Sequence, residues 1–357
     1  MDGPKGVTAT FGYRLDVASV GGGTVVRSPN AAAYAPGTTV TLTPQPDAFH
    51  HFVGWSGDAS GSQSPLAVTM DGNKSITATF AIDSYTLSVA VSGSGTVAKS
   101  PDQASYTYGT QVTLTPTPAT GYHFTGWSGD TSTTANPLVL TMTRARSLTA
   151  SFAIDSYTLS VTVSGSGTVA KSPNQASYTY GTVVTLTATP ATGWHFVGWS
   201  GDATSSTNPL SLTMDGPKAV TAGFAINTYA LTVTTNGLGT VAKSPDQASY
   251  NYGTVVTLTA TPSAGTYFVS WGGDASGTTS PVTVTMDGPK GVTATFGYRL
   301  DVASVGGGTV VRSPNAAAYA PGTTVTLTPQ PDAFHHFVGW SGDASGSQNP
   351  LAVTMDG

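Results

Sequence analysis

The stretch YTLSVAVSGSGTVAKSPDQASYTYGTQVTLTPTP, residues 85–118, decides the fold. Apolar residues alternate with small or polar ones in Tyr85–Val91 and again in Gln111–Thr115, which is the pattern of half-buried β-strands. The segment Ser92–Gly95 has the composition of a tight turn, because glycine adopts positive φ at no steric cost. We therefore predict that Thr96–Lys99 returns as the second strand of a β-hairpin.

The residues that follow complete a small β unit. His123–Trp127 is an aromatic strand, and a turn and a loop rich in Ser and Thr come after it. Alternate apolar residues in 138–142 and in 148–152 predict two more strands, each with one buried face. Six short strands in a unit of about 72 residues predict an all-β fold, a small antiparallel sandwich or barrel.

The pattern recurs along the chain, which predicts a tandem array. Units are 72, 72, 72 and 69 residues apart, counted between the aromatic residues that open them: Tyr13, Tyr85, Tyr157, Tyr229 and Tyr298. The joins between units have no Gly/Ser-rich or Pro-rich linker, which restricts relative motion. The predicted organisation is a last strand of a preceding unit in 1–12, repeat 1 in 13–84, repeat 2 in 85–156, repeat 3 in 157–228, repeat 4 in 229–297, and repeat 5 in 298–357, which lacks its last strand.

A longer period lies above the 72-residue one. Residues 1–72 and 286–357 are identical except for Ser64 against Asn349, so four repeats form a 285-residue super-repeat. Both ends are then arbitrary points of a periodic array. Residues 1–12 could complete the open repeat 5 of another copy by strand addition and build a head-to-tail filament. Covalent continuation of the chain would supply the same strand, so both sources are open.

The composition excludes several functional classes. Charged residues make up 9% of the chain, against about 25% in a typical soluble domain, and all 18 acids are Asp. The charge is spread thinly, so nucleic acid and anionic membranes are poor partners. The absence of Cys excludes thiol catalysis, disulfides and cysteine metal sites. No apolar run approaches ~20 residues, so no membrane insertion is expected from this stretch of chain.

Histidines recur one repeat apart, just before a Phe, at His51, His123, His195 and His336. A metal site needs three or four ligands close together, whereas these occur once per repeat, and repeat 4 has Tyr267 instead. His50 and His335 are additional and lie beside this register. We therefore predict partly buried strand residues and no metal site.

An Asp follows Gly in the turn after each Trp. Calcium needs six to eight oxygen ligands, and each turn offers a single Asp with nearby Ser and Thr. We predict that this Asp caps the turn through its own backbone. The residues are Asp58, Asp130, Asp202, Asp274 and Asp343.

The recurring aromatic residues are predicted to form a structural core in each repeat. In a regular strand, Phe124 and Trp127 would point to opposite faces. Either a bulge at Gly126 turns both inward, or Trp127 packs on a second surface. The predicted core residues are Trp55, Trp127, Trp199, Trp271, Trp340, Phe52, Phe124, Phe196, Phe268 and Phe337.

No catalytic constellation is present in the sequence: there is no GxSxG elbow with His and Asp partners, and no phosphate-binding glycine loop before a helix. We predict no catalytic residues, no cofactor and no enzymatic activity.

Five motifs follow one another in order in the repeats: GxGTVxxSP, YxxGTxVTLT, FxGWSGD, NPLxVTM and VTAxFA. With them the chain resembles, over its whole length, the divergent internalin-B-type repeat of bacterial surface and secreted proteins. The resemblance implies a β-grasp-like unit and a role as a stalk, spacer or adhesive module at the bacterial cell surface. It also implies no catalytic residues. We expect an extracellular structural array forming a rod or fibre; the alternative is an adhesin that binds a glycan or host protein through its Ser/Thr-rich loops, with the external ligand unknown.

Overall fold

A computed structural model describes residues 2–356, and its regular elements are all β-strands. The chain divides into two compact units, Met1–Tyr157 with Tyr178–Thr182, and Thr158–Ser177 with Val183–Gly357. Among the described residues, no helix is long and apolar enough to cross a membrane.

The strands of the first unit belong mainly to repeats 1 and 2. They are β1 (Leu15–Val20), β2 (Gly23–Ser28), β3 (Thr39–Pro46), β4 (His50–Gly57), β5 (Leu66–Thr69), β6 (Lys74–Ile82), β7 (Ser84–Tyr85), β8 (Leu87–Ser92), β9 (Gly95–Ser100), β10 (Tyr106–Thr107), β11 (Gln111–Pro118), β12 (Tyr122–Gly129), β13 (Leu138–Thr141), β14 (Arg146–Ile154), β15 (Ser156–Tyr157) and β18 (Tyr178–Thr179).

The strands of the second unit follow the same order. They are β16 (Leu159–Ser164), β17 (Gly167–Ser172), β19 (Val183–Pro190), β20 (Trp194–Gly201), β21 (Leu210–Thr213), β22 (Lys218–Ile226), β23 (Thr228–Tyr229), β24 (Leu231–Asn236), β25 (Gly239–Ser244), β26 (Tyr250–Asn251), β27 (Val255–Pro262), β28 (Tyr267–Gly273), β29 (Val282–Thr285), β30 (Lys290–Gly297), β31 (Gly308–Ser313), β32 (Thr324–Pro331) and β33 (Leu351–Thr354).

Each of the first four repeats contains two three-stranded sheets. In repeat 2 the strand orders are β12-β14-β8 and β13-β11-β9, and the two-residue strands β7 and β10 form a separate pair. The six predicted strands are therefore present, together with two short ones. Four of the six longer strands pair only antiparallel, but β8 runs parallel to β14. The all-β fold of small, mainly antiparallel sheets is confirmed.

The predicted hairpin of β8 and β9 is wrong, because the two strands belong to different sheets. The reason is the residue that packs on the turn. A Cβ on Gly93 would lie 2.1 Å from the Phe152 carbonyl oxygen, and one on Gly95 would lie 2.7 Å from the Phe152 ring. The last strand is thus seated against the glycine turn, and the chain crosses there from one sheet to the other.

The core of repeat 2 lies between its two sheets. Its buried residues come from both, including Leu87 and Leu148 of one sheet and Leu114 and Leu140 of the other. The described clusters of repeats 1, 2, 4 and 5 each consist of residues from a single repeat. Each of these cores is therefore self-contained.

A β-bulge decides how the aromatic strand presents its side chains. The pairing of β12 with β14 shifts register between Phe124 and Gly126. The extra residue, Thr125, allows Phe124 and Trp127 to face the same core, with their ring centroids 5.6 Å apart. Of the two alternatives left open by the sequence, the bulge is the correct one.

Described residues 2–12, which are predicted as the last strand of a preceding repeat, form no strand in this chain. Val7 and Phe11 are 95% and 87% exposed, whereas Val292 and Phe296, at the equivalent positions of β30, are 2% and 0% exposed. Strand β30 lies between β24 and β28 in its sheet. The strand is therefore central and not an addition to an edge, and a segment without both neighbours has nothing to pair with.

Repeat 5 shows the complementary effect. Its sheet β31-β32-β33 is formed, but described residues 300–305 and 336–342, which correspond to β24 and β28 of repeat 4, form no strand. A cleft of about 220 Å³ lies among Val305, Phe337 and Trp340. A central strand with the sequence of β30 would complete this sheet.

Candidate functional site

The recurring Trp is a core residue that also holds a loop. Four of the five are 2–5% exposed, and Trp340 is half-buried. In repeat 2 the Trp127 indole N–H donates to the Ala135 carbonyl oxygen at 3.0 Å, so the ring fixes the Ser/Thr-rich loop. The same bond, to the residue eight positions later, is made by Trp55, Trp199, Trp271 and Trp340.

The five Phe residues predicted for the core are half-buried beside these Trp rings. Their ring centroids lie 5.0–5.6 Å from those of the Trp, in tilted or edge-on arrangements that favour aromatic pairs. The pairs are Phe52–Trp55, Phe124–Trp127, Phe196–Trp199, Phe268–Trp271 and Phe337–Trp340.

The Asp after each Trp does not cap its turn through its own local backbone, so that prediction is wrong. In repeat 2 the Ser147 N–H donates to Asp130 Oδ2 at 2.6 Å, and the Asp130 N–H donates to the Ser147 carbonyl at 3.0 Å. The carboxylate thus fastens the turn to the start of the last strand, 17 residues away. Asp58, Asp202 and Asp274 make the same pair of bonds, and Asp343 is exposed.

The recurring His residues are exposed, so the prediction that they are partly buried is also wrong. Their Nδ1 atoms lie 2.7–2.9 Å from a side-chain oxygen of the linker between repeats, in the pairs His51–Asp83, His123–Asp155 and His195–Asn227. His336 is exposed in repeat 5, and Tyr267 is 47% exposed in repeat 4. His50 and His335 point instead to the carbonyls of Ala48 and Ala333.

No described group of three or more His, Cys, Asp or Glu side chains could hold a metal ion. The His–Asp pairs offer two ligands each, which is fewer than zinc or calcium sites use.

Surface ion pairs flank the last strand. Asp71, Asp215 and Asp287 each lie 2.6–2.8 Å from the Lys three residues later. The hydrogen bond from that Lys, and then its charge, lower the pKa of each carboxyl. The carboxylates of these pairs are exposed and screened by solvent, so the pairs orient side chains more than they stabilise the fold.

The linker residue is the site that the sequence analysis missed. The Asp83 N–H donates to the Phe49 carbonyl of repeat 1 at 2.8 Å, and the Asp83 carbonyl accepts from the Tyr108 N–H of repeat 2 at 2.8 Å. One residue is thus bonded to both repeats. Asp155 makes the same bonds to Gly121 and Tyr180 at 2.8 and 2.9 Å, and Asn227 to Gly193 and Tyr252 at 2.8 and 2.8 Å. We call Asp83, Asp155 and Asn227 the clamp residues.

The join between repeats 4 and 5 is built differently. Only Gly297 stands between Phe296 and Tyr298, so the clamp position is missing. Gly297 is buried, and a Cβ on it would lie 1.9 Å from the Tyr319 carbonyl oxygen. This short join therefore depends on direct backbone contact. Its signal in the sequence was the spacing of 69 residues instead of 72.

Comparisons with known proteins agree with this repeat structure. A family model for the divergent InlB B-repeat domain matches residues 13–84, 85–156, 157–228, 229–300 and 298–357. Among solved structures, 17 chains match. One is the Bacillus anthracis TIE protein, with 7% sequence identity, a TM-score of 0.32, and coverage of 72% of this chain and 59% of that one. The present chain thus spans less than two thirds of that structure's length. No curated protein matches.

Proposed function

Since the chain belongs to the divergent InlB B-repeat family, we propose that it is a non-enzymatic structural array, an extended extracellular rod, stalk or fibre. Repeats of this family usually occur in bacterial surface or secreted proteins, which supports a place outside the cell. The proposed role is to space apart other parts of a surface protein.

The observation that carries this proposal is the self-contained core of each described cluster. Repeats 1, 2, 4 and 5 each bury their own Trp or pack their own residues against it, without a residue from a neighbour. Units that fold around their own cores can be added in tandem without redesign of the fold. The repeats are also joined by only a few residues, as expected for a spacer whose length depends on the number of repeats.

Particle dimensions test the rod. Compact-domain scaling gives a 72-residue repeat a width of about 30 Å, so five repeats in line would span roughly 150 Å. Negative-stain images and small-angle scattering of the full chain should give a maximum dimension near this value. A compact particle of much smaller maximum dimension would refute the rod.

An adhesin is the second candidate, and the Trp-held loop supports it. Because the Trp127 N–H holds the loop backbone at Ala135, less backbone freedom is lost when the loop binds a ligand, which lowers the entropy cost of binding. Binding of the chain to a glycan array or to host matrix proteins is the test. The variant that tests the loop carries Ser132→Ala, Thr133→Ala and Thr134→Ala. Binding that this variant keeps in full would exclude the loop of repeat 2.

A further inference from the structure

We propose that the clamp residues form an interface that recognises the next repeat. This interface accepts only a repeat with Tyr at the position of Tyr108, where the Tyr supplies its backbone N–H and its ring. The partner is thus a neighbouring repeat of a particular sequence type, and the order of repeats is specified at their joins. This inference deepens the proposed structural role, because it concerns how the repeats of the array are held together.

The interface begins with the backbone of the clamp residue. Asp83 donates to repeat 1 and accepts from repeat 2 over 2.8 Å in both directions. Two short hydrogen bonds on opposite sides of one residue leave it little freedom to rotate. A linker with free φ and ψ would let the repeats reorient, and this linker residue is bonded to both of them.

The side chains at this join add a second contact. His51 approaches the Asp83 carboxylate at 2.9 Å from repeat 1. Phe49, in the turn before His51, stacks on the ring of Tyr108 in repeat 2, with centroids 3.5 Å apart and planes at 9°. Phe49 has φ of 62°, which is unfavourable for a residue with a Cβ, and the stacking offsets that cost.

The later joins reach the same contact with glycine. Gly121 and Gly193 have φ of 76° and 78°. A Cβ on either would lie 2.2–2.3 Å from the ring of the next repeat's Tyr, Tyr180 or Tyr252. The turn of one repeat therefore lies directly against that ring. In each clamped join, a Tyr supplies both the N–H for the clamp residue and the ring for the turn.

The short join lacks these features together. Repeat 4 has Tyr267 where the others have His, its linker has no clamp residue, and repeat 5 has Pro321 where repeats 2, 3 and 4 have Tyr. Nothing lies within 4 Å of a Cβ built on Gly265, the glycine equivalent to Gly193. Because Pro has no N–H, Pro321 could not donate to a clamp residue. The His, the clamp and the Tyr are thus present as a set or absent as a set.

Repeat 1 provides a matched variant for the test. Pro36 occupies the position of Tyr108, yet the turn is the same: Gly37 donates to Met70 at 2.8 Å, as Gly109 donates to Met142 at 2.9 Å. Tyr108→Pro is therefore compatible with the fold of a repeat while it removes the N–H and the ring from the interface. Asp83→Asn is the control, because Asn227 is the natural residue at another clamped join.

The experiment measures distances between spin labels on the full chain, whose lack of Cys allows specific labelling. Labels at Thr39→Cys and Gln111→Cys, the exposed first residues of β3 and β11, span the first join. Labels at Ser88→Cys and Gln111→Cys lie within repeat 2 and report its fold. We expect one narrow distance across the join in the parent and in Asp83→Asn, and loss of that single distance in Tyr108→Pro.

An unchanged, narrow distance across the join in Tyr108→Pro would overturn the proposal. If that variant also disturbs the distance within repeat 2, amide exchange in the parent chain decides. Protection of the Asp83 and Tyr108 amides comparable to that of strand amides supports the clamp, and exchange as fast as in an open turn overturns it. A compact particle would refute the rod but leave these distances unaffected, so the two failures are distinguishable.

Discussion

The indole N–H of Trp127 donates to the Ala135 carbonyl oxygen over 3.0 Å, and the Trp127 ring is itself 3% exposed. One side chain thus fills the core and closes the longest loop of its repeat. The core and the Ser/Thr-rich loop should therefore lose stability together when the ring is removed.

Trp127→Ala is expected to lower the free energy of unfolding of repeat 2 by about 3–5 kcal/mol, the usual cost of deleting a buried aromatic side chain. A repeat of about 70 residues is marginally stable, so this loss should unfold it. Hydrogen exchange followed by mass spectrometry would report the loss of protection in β11 and β14. Val139→Ala, at a side chain that is 55% exposed, is the control, and equal protection in both variants would contradict the core role.

Asp130→Ala should destabilise repeat 2 by about 1–2 kcal/mol, because it leaves the Ser147 N–H without its charged acceptor. Thermal unfolding of the parent and the variant measures the change. Asp102→Ala removes an exposed partner of Lys99 and should cost under about 1 kcal/mol. Equal effects of the two substitutions would mean that the hydrogen bond from the Ser147 N–H to Asp130 stabilises the repeat no more than the surface ion pair of Lys99 and Asp102 does.

Gly297→Ala tests the short join. Its Cβ would lie 1.9 Å from the Tyr319 carbonyl oxygen, so the backbones of repeats 4 and 5 must separate, at a cost of about 1–3 kcal/mol. Gly288→Ala is the matched control, because nothing lies within 4 Å of a Cβ there. A melting temperature of Gly297→Ala equal to that of Gly288→Ala would show that the join tolerates a side chain.

Folding is expected to need no metal ion, because each turn supplies one Asp, and His51, His123 and His195 each have a single acidic or amide side-chain partner. Melting curves recorded with chelator, with calcium and with zinc should superimpose. Since a ligand that binds only the native state must stabilise it, a rise of several degrees with either ion would reveal a site.

Residues 1–12 test how the central strand of repeat 5 is supplied. If they complete repeat 5 of another copy, the chain should associate as its concentration rises, measured by light scattering. Phe11→Asp should then abolish association, because the equivalent Phe296 is 0% exposed and an unpaired charge would be buried. Val26→Asp, at an exposed side chain, is the control. A parent chain that stays monomeric at high concentration would contradict strand exchange between copies.

The sequence by itself determined the repeat, its strands and its aromatic core. The alternation of apolar and polar residues in Gln111–Thr115 and the recurrence of Trp127 in every repeat indicate strands with a buried face. This can be read locally, because successive side chains of a strand point to opposite faces. The sequence by itself did not determine which strands pair with each other. The turn at Gly93 resembles any hairpin turn, and only the packing of Phe152 against it sends β8 and β9 to different sheets.

Tertiary structure alone decided the partners of the polar side chains. His51 and Asp83 are 32 residues apart, and Asp130 and Ser147 are 17 apart, so neither pair is visible as a local motif. The bulge at Thr125, left open by the pattern, is set by the pairing of β12 with β14. Hydrogen bonds between distant segments depend on where the folded sheets bring them, and this is why the clamp at Asp83 could be found only in the folded chain.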